Sequence, residues 1–328
     1  MSSVIEVRDL VKNYGDLTAV KGISFEVEQG EIFGFLGPNG AGKTTTINIL
    51  CTLLSPTSGS ANLDGYNVAE ERDRVRESIG LVFQDPSLDD RLTARENLEF
   101  HAYAYRVPKG ERDQRISEVL EMVELEDREK DRVQTFSGGM KRRLEIARGL
   151  LHYPKVLFLD EPTIGLDPQT RNSIWEYIRD LKKRHDITIF LTTHYMDEAE
   201  NCDRIAIIDY GEIIALDTPE KLKSQVGGDV VKITTENDTE AERALIEDFK
   251  VEMIQDRDCL CFEVENGESF IPHFIKDFPV PINSISLHRP TLDDVFLVLT
   301  GREIRPGGAD ELADMRAFAR GFRGPMRR

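Results

Sequence analysis

Residues 37–44 read Gly-Pro-Asn-Gly-Ala-Gly-Lys-Thr, directly after the compact apolar run Ile32–Leu36. Glycine, four residues, glycine, lysine and threonine form a phosphate-binding loop of the Walker A kind. Gly37, Gly40 and Gly42 let backbone N–H groups turn inward around phosphate oxygens with no Cβ in the way. Pro38, Asn39 and Ala41 fill the loop, and Thr45 follows it. Lys43 is placed to reach the β- and γ-phosphates, and the Thr44 hydroxyl to ligate Mg²⁺. Residues 45–53 lack glycine and proline and fit a helix, whose N-terminal dipole would also face the phosphates.

A second stretch complements the first. Residues 156–161 read VLFLDE, a buried apolar strand ending in Asp160 and Glu161. The carboxyl edge of an α/β sheet is where such folds bind ligands. There Asp160 can hold Mg²⁺, and Glu161 can orient and polarise a water for attack on the γ-phosphate. Taken alone, two acids after a strand also describe a solvated turn. Beside a phosphate loop they describe the metal and water half of a nucleotide site.

The surrounding elements must bring these stretches together. Residues 4–10 and 22–27 alternate as strands, and residues 156–159, 187–191 and 205–208 are apolar runs of strand length. Strands alternating with helices predict an α/β P-loop NTPase fold with a sheet of largely parallel strands. From about 86 to 135 the chain is charged, with Ile116, Val119, Leu120 and Val123 at helical spacing, which predicts a helical insertion. Gly227-Gly228 closes this pattern, so the first domain is expected over 1–220. Residues 221–301 change character. Strands at 230–234, 250–255, 259–264 and 282–286, with helices at 239–249 and 269–278, predict a ferredoxin-like β-α-β-β-α-β accessory domain. A short helix over 291–300 follows, started by Thr291 with Asp294 and stopped by Gly301. Residues 302–328 form a basic tail.

Composition narrows the function classes. The 328 residues carry 42 basic and 60 acidic side chains, a net charge of −18. A chain this acidic repels a phosphate backbone and is not expected to bind nucleic acid. No apolar run approaches the 18 or so residues of a membrane span, so no transmembrane segment is expected. The opening MSSVIEVRDL has early acids and no apolar stretch, so no secretory leader is expected. Cys51, Cys202, Cys259 and Cys261 are too few for a disulfide scaffold, which suits a reducing cytoplasm.

Further motifs carry a family resemblance. Residues 136–143, FSGGMKRR, resemble the signature sequence of ATP-binding cassette (ABC) ATPases, with Ser137, Gly138 and Gly139 at its centre. Gln84, in VFQDP at 82–86, resembles the family's Q-loop. Gly165-Leu166-Asp167 resembles its D-loop, and Thr192-Thr193-His194 its H-loop. Tyr14 stands ahead of the phosphate loop, where the family stacks an aromatic on adenine; a strand-end packing aromatic is the other reading. Residues 84–97 and the late segment Arg289–Gly301 further resemble the ATPase subunits of daunorubicin-resistance-type exporters. Phe136 and Met140 depart from the commoner Leu and Gln of the signature, and Ile164-Gly165 from the commoner Ser-Ala of the D-loop.

The resemblance implies ATP and Mg²⁺ as cofactors and a homodimer packed head to tail around two ATP molecules. Ser137 and the Gly139 N–H of one copy would close the site formed by Tyr14, the phosphate loop and Gln84 of the other. Glu161, His194 and Lys43 would be catalytic, and Thr44, Gln84 and Asp160 would serve the metal. It further implies a separate ABC-2-type membrane permease, contacted through the insertion, export of a drug, lipid or other hydrophobic cargo, and a peripheral place on the cytoplasmic face of the cell membrane. The alternative is a non-transport ABC ATPase. Such proteins need a basic nucleic-acid surface, coiled-coil arms or two cassettes, and this chain has one phosphate loop and no heptad run. A P-loop kinase or GTPase has no use for Ser137-Gly138-Gly139. Cys259 and Cys261 share one strand face, which suits buried packing better than a metal site. His101 and His273 are given no role. Leu312, Met315, Phe318 and Phe322 recur at helical spacing between arginines, as either an amphipathic membrane or permease helix or a frayed terminus.

Overall fold

The structure is a computed structural model and describes residues 3–84, 87–185, 187–254 and 259–301. The tail and its proposed amphipathic helix lie outside the described residues. The chain divides into two compact units that part at Asp217 and Thr218.

The first unit opens with two long paired strands, β1 (Ser3–Tyr14) and β2 (Leu17–Glu28), followed by β3 (Ile32–Leu36), the phosphate loop and helix α1 (Lys43–Leu50). Strands β4 (Ser58–Leu63) and β5 (Tyr66–Asn67), helix α2 (Arg72–Ser78) and strand β6 (Ile79–Val82) come next. The helical segment contains α3 (Ala94–Ala104) and α4 (Arg112–Met122). Then α5 (Gly138–Leu150), β7 (Val156–Asp160), α6 (Pro168–His185), β8 (Thr188–Thr193), α7 (Met196–Ala199), β9 (Arg204–Asp209) and β10 (Glu212–Asp217) complete the unit.

Two sheets result. Strands β10-β9-β3-β8-β7-β6 form the main sheet, parallel except for β10. Strands β2-β1-β4-β5 form a separate antiparallel sheet. The expected parallel sheet is therefore only part of the unit. β4, β5 and β6 escape sequence patterning for physical reasons. SGSANL in β4 has no β-branched residue and an exposed first half. β5 is two residues long, and β6 begins at the residue after α2 ends.

The core joins the sheets. Phe25 of β2 packs against Phe33 and Phe35 of β3 and Phe190 of β8, with ring centroids 5.5–6.1 Å apart. Phe158 of β7 adds a further contact with Phe190. Such ring pairs add about 0.5–1.5 kcal/mol each beyond the area they bury. All five residues of β3 and all five of β7 are buried, as a strand covered on both faces requires. This packing sets the register that matters. Leu36 pairs with Thr193, and Asp160 with Thr192. Three strands thus end side by side, each handing its next residues to one carboxyl edge.

The second unit begins at Thr218, whose hydroxyl caps helix α8 (Pro219–Ser224) by accepting from Lys221 N–H. It continues with β11 (Asp229–Thr235), α9 (Asp238–Glu247), β12 (Glu252–Ile254), β13 (Leu260–Val264), α10 (Gly267–Asp277), β14 (Ile282–His288) and α11 (Leu292–Thr300). The four strands form an antiparallel sheet in the order β12-β13-β11-β14. Val231, Ile233, Leu245, Phe262 and Phe274 form its core, with Phe249, Phe270 and Phe278 ringed around Phe274. Thr291 and Asp294 make a reciprocal capping box on α11, and Gly301 ends that helix at φ 72°.

Candidate nucleotide site

The phosphate loop leaves β3 and is anchored at once, by Gly37 N–H donating to Thr193 O at 3.2 Å. A Cβ on Gly37 would lie 2.2 Å from Ile208 O, so only glycine passes there. Gly42 stands at φ 107°, and a Cβ on it would meet Ala19 O at 2.7 Å. These two close approaches shape the cradle.

Lys43 is buried and curls back into it. Its Nζ donates to Gly37 O at 2.7 Å and Pro38 O at 3.1 Å, and lies 3.5 Å from Glu161 Oε1. Burial pulls the Lys43 pKa down, against the upward pull of Glu161 and Asp160. The ammonium is thus held by weak carbonyl partners and one carboxylate, an arrangement that phosphate oxygens can replace.

Asp160 and Glu161 are separated in role by one hydroxyl. Thr192 Oγ1 donates to Asp160 Oδ1 at 2.5 Å and accepts from Glu161 N–H at 3.0 Å. Thr44 Oγ1 also points at Asp160 Oδ1, 3.5 Å away. A hydroxyl and a carboxylate converging in this way make a hard oxygen set that suits Mg²⁺. Burial raises the Asp160 pKa, and the Thr192 bond opposes this. Glu161 stands at φ 44°, left-handed for a residue with a Cβ, which costs about 1–3 kcal/mol. Burial pushes its carboxyl up, but His194 and Lys43 outweigh burial and hold it below the usual carboxylate range. It therefore stays ionised at neutral pH.

His194 is buried with Nδ1 3.3 Å from Glu161 Oε1, off the line of a hydrogen bond, so that Nδ1 has no hydrogen-bond partner. An orphaned buried nitrogen beside a carboxylate fits a group that a nucleotide or water completes. Its ring packs on Tyr195, which is itself covered by Arg171. Tyr14 is 46% exposed at the end of β1, with Lys12 Nζ 5.2 Å from its ring centroid. It shares one open cavity of about 660 Å³ with Asn39, Gly40, Gly42, Lys43, Thr44, Thr45, Gln84, Glu161 and His194.

Ser137 and Gly139 are elsewhere. They line a different cavity of about 460 Å³, together with Met140, Arg143 and Thr170. Ser137 caps α5, its Oγ accepting from Met140 N–H at 3.3 Å. One chain therefore assembles the phosphate loop, acids and histidine, but not the signature residues.

Several buried residues around the site were not singled out from sequence. Arg142, within the quoted signature stretch, donates to Pro162 O, Phe83 O and Asp160 O, and pairs with Glu145. It ties α5 to both the strand that carries the acids and the residue before Gln84. Glu145 accepts from Ser87 N–H, and Arg148 bonds the Ser87 hydroxyl. Arg142, Glu145 and Arg148 recur at i, i+3 and i+6, one face of a helix, and that was the available signal. Glu198, also buried, accepts from the Thr163 and Thr193 hydroxyls and so joins the D-loop turn to the H-loop strand.

Comparison with known proteins agrees with this geometry. The family profile described as ABC transporter matches residues 20–164. A linearmycin resistance ATP-binding protein of Bacillus subtilis (strain 168) is 40% identical over 313 residues, covering 92% of this chain and all of the relative. A daunorubicin/doxorubicin resistance ATP-binding protein of Streptomyces peucetius is 38% identical over 318 residues, covering 94% of this chain and 96% of the relative. Among solved structures, a dimeric ATP-binding cassette in a post-hydrolysis state with ADP and phosphate superposes with a TM-score of 0.58 at 30% identity, covering 65% of this chain and 98% of that one. Phosphate loop, paired acids, H-loop histidine and full-length kinship converge on one conclusion: this chain belongs to the ABC transporter family, as an ATP-binding and ATP-hydrolysing subunit that works with Mg²⁺.

Proposed function

We propose that this ATPase powers export of a drug, lipid or other hydrophobic cargo through a separate ABC-2-type permease, as a head-to-tail homodimer at the cytoplasmic face of the membrane. The observation that carries the dimer is the separation of Ser137 and Gly139 from the phosphate loop into a second cavity. An open phosphate-loop cavity and an exposed, capped helix start in the same copy support a reading as the two halves of a two-fold composite site. Kinship with resistance proteins over more than nine-tenths of the chain, second unit included, supports export. Among the described residues no helix is long and apolar enough to cross a membrane, which is in keeping with a separate permease.

The resemblance and the geometry together support the following roles. Tyr14 stacks on adenine, and the amides of residues 37–45 bind phosphate oxygens. Lys43 leaves the Gly37 and Pro38 carbonyls for the β- and γ-phosphates. Thr44, Asp160 and Gln84 would hold Mg²⁺, which neutralises charge on the phosphate oxygens. Glu161 accepts a proton as water attacks the γ-phosphorus, and the bond from that phosphorus to the bridging oxygen of ADP breaks. His194 holds the water and the γ-phosphate beside Glu161. Ser137, Gly138 and Gly139 of the second copy close the site. The βαββαβ order and the 4-1-3-2 strand arrangement of residues 229–288 support a ferredoxin-like accessory domain, assigned to 221–301 with the cassette over 1–220.

The test is purification with the candidate permease in lipid vesicles and measurement of ATP-driven movement of daunorubicin, the drug named for one relative. Export should require the permease and vanish with Glu161→Gln. Robust ATP turnover with no permease binding and no effect on drug movement would overturn export and leave the ATPase intact.

A further inference from the structure

The signature residues stand against their own chain at two points, one on the D-loop and one on the first turn of α6. A Cβ on Gly138 would stand 3.1 Å from Leu166 Cδ2, and one on Gly139 would stand 2.6 Å from Thr170 Cγ2. The second distance is below any real contact, so something must move for a side chain to fit. Thr170 is poorly able to move. It is β-branched, and its Oγ1 donates to Asp167 Oδ2 at 2.6 Å while its N–H donates to Asp167 Oδ1 at 3.0 Å. Turning the methyl away from Gly139 gives up the hydroxyl bond.

From this we infer that Thr170 is a positioning residue that clamps the signature loop to the D-loop of the same chain. The glycine at 139 is required by this clamp, independently of any approach of ATP. The D-loop end of the clamp leads back to Glu161. Ile164 N–H donates to Glu161 O, and Leu166 N–H to Thr163 O. The Thr163 hydroxyl meets Glu198, which also holds the Thr193 hydroxyl next to His194. Each chain therefore ties the Glu161 and His194 that serve one ATP to the Ser137 and Gly139 that close over the other. A displacement at one site is delivered to the second along this run of hydrogen bonds and backbone. The catalytic consequence rests on the composite-site reading, whereas the clamp itself belongs to the single chain.

The test is a double-mutant cycle on the full chain. Thr170→Ser deletes the methyl and keeps the hydroxyl, and Thr170→Val keeps the methyl and deletes the hydroxyl. Gly139→Ala within a helix ordinarily stabilises, because alanine is the better helix former. Here it should lower the melting temperature alone and with Thr170→Val, yet raise it in the Thr170→Ser background. In a Glu161→Gln background with saturating Mg-ATP, Gly139→Ala should weaken dimerisation by about tenfold or more, with nucleotide affinity of the monomer unchanged, and Thr170→Ser should recover most of that loss. Gly139→Ala raising the melting temperature in every background would overturn the clamp. So would equal rescue by Thr170→Val, or dimerisation that Thr170→Ser leaves unrescued. Absence of any ATP-driven dimer with Gly139 intact would instead overturn the composite site, and the melting cycle would still decide the clamp.

Discussion

Two helices of the first unit begin beside glycines and face cavities, yet their N-termini are finished in different ways. Helix α1 starts after Gly42 with no side-chain cap, and its first residue, Lys43, folds back over the loop. Helix α5 starts after Ser137, whose hydroxyl already accepts one of its free amides. Around α1 lie Lys43, Asp160 and Glu161, all buried and all close to one another. At α5 the leading residues Ser137 and Gly138 are exposed and uncharged. The first end is a preorganised electrostatic site, and the second is a capped surface that, in the proposed composite site, would contribute two donors to another copy.

The largest expected effect breaks the first site. Glu161→Gln removes the proton acceptor, and general-base loss typically costs 10²–10⁴-fold, or about 3–5 kcal/mol in barrier. Phosphate release should fall by that factor while Mg-ATP still binds, and size-exclusion chromatography should show an ATP-bound dimer. Lys43→Ala should instead lose nucleotide affinity and show no dimer.

Thr192→Val comes next. It removes the hydroxyl shared by Asp160 and the Glu161 amide, and hydrogen bonds to a charged group are worth about 1.5–3 kcal/mol. Chemical denaturation should report a loss of that size, and the Mg²⁺ requirement of turnover should rise. An unchanged Mg²⁺ titration would leave Thr192 a packing residue.

Ser137→Ala sharpens the contrast from the other side. Loss of the cap should cost about 0.5–2 kcal/mol of stability. Nucleotide affinity of the monomer should not change, because Ser137 lies outside that cavity, and the ATP-driven dimer should weaken.

The smallest effects are in pH dependence, and the two acids have opposite signs. Burial raises the folded Asp160 pKa, so its ionised form costs stability at neutral pH and the cost fades as pH drops through the folded value. Asp160→Asn should melt higher than the parent chain at neutral pH, with the gap closing in acid. Glu161 is depressed, so it contributes stability above its unfolded pKa that is lost as pH falls through the lower folded value. Melting curves of Glu161→Gln should lack that acid-side loss.

Much of the site was legible because its parts are contiguous. A phosphate loop, a strand ending in two acids and a signature each lie within eight residues, and each carries its own local geometry. Thr192 illustrates the limit. It sat in a quoted motif, but its double role depends on the pairing of β7 with β8, which no local pattern specifies. Arg142, Glu145 and Arg148 look like a solvated charged face until α5 is packed, whereupon all three are buried. The antiparallel sheet shows the same limit in the fold: β4 pairs with β1 across some fifty residues and has little hydrophobic signal of its own.

The amino-acid sequence by itself determined which groups can act on phosphate, where the loop must turn, which helices start and stop at Thr291 and Gly301, and that the chain holds one phosphate loop. These depend on backbone sterics and neighbours a few residues apart. Only the tertiary structure decided that Lys43, Glu161 and His194 share one cavity while Ser137 and Gly139 line another, and that Thr170 stands against Gly139. Strand register and burial set those distances, and both are properties of chain segments that meet only after the core between the two sheets has closed.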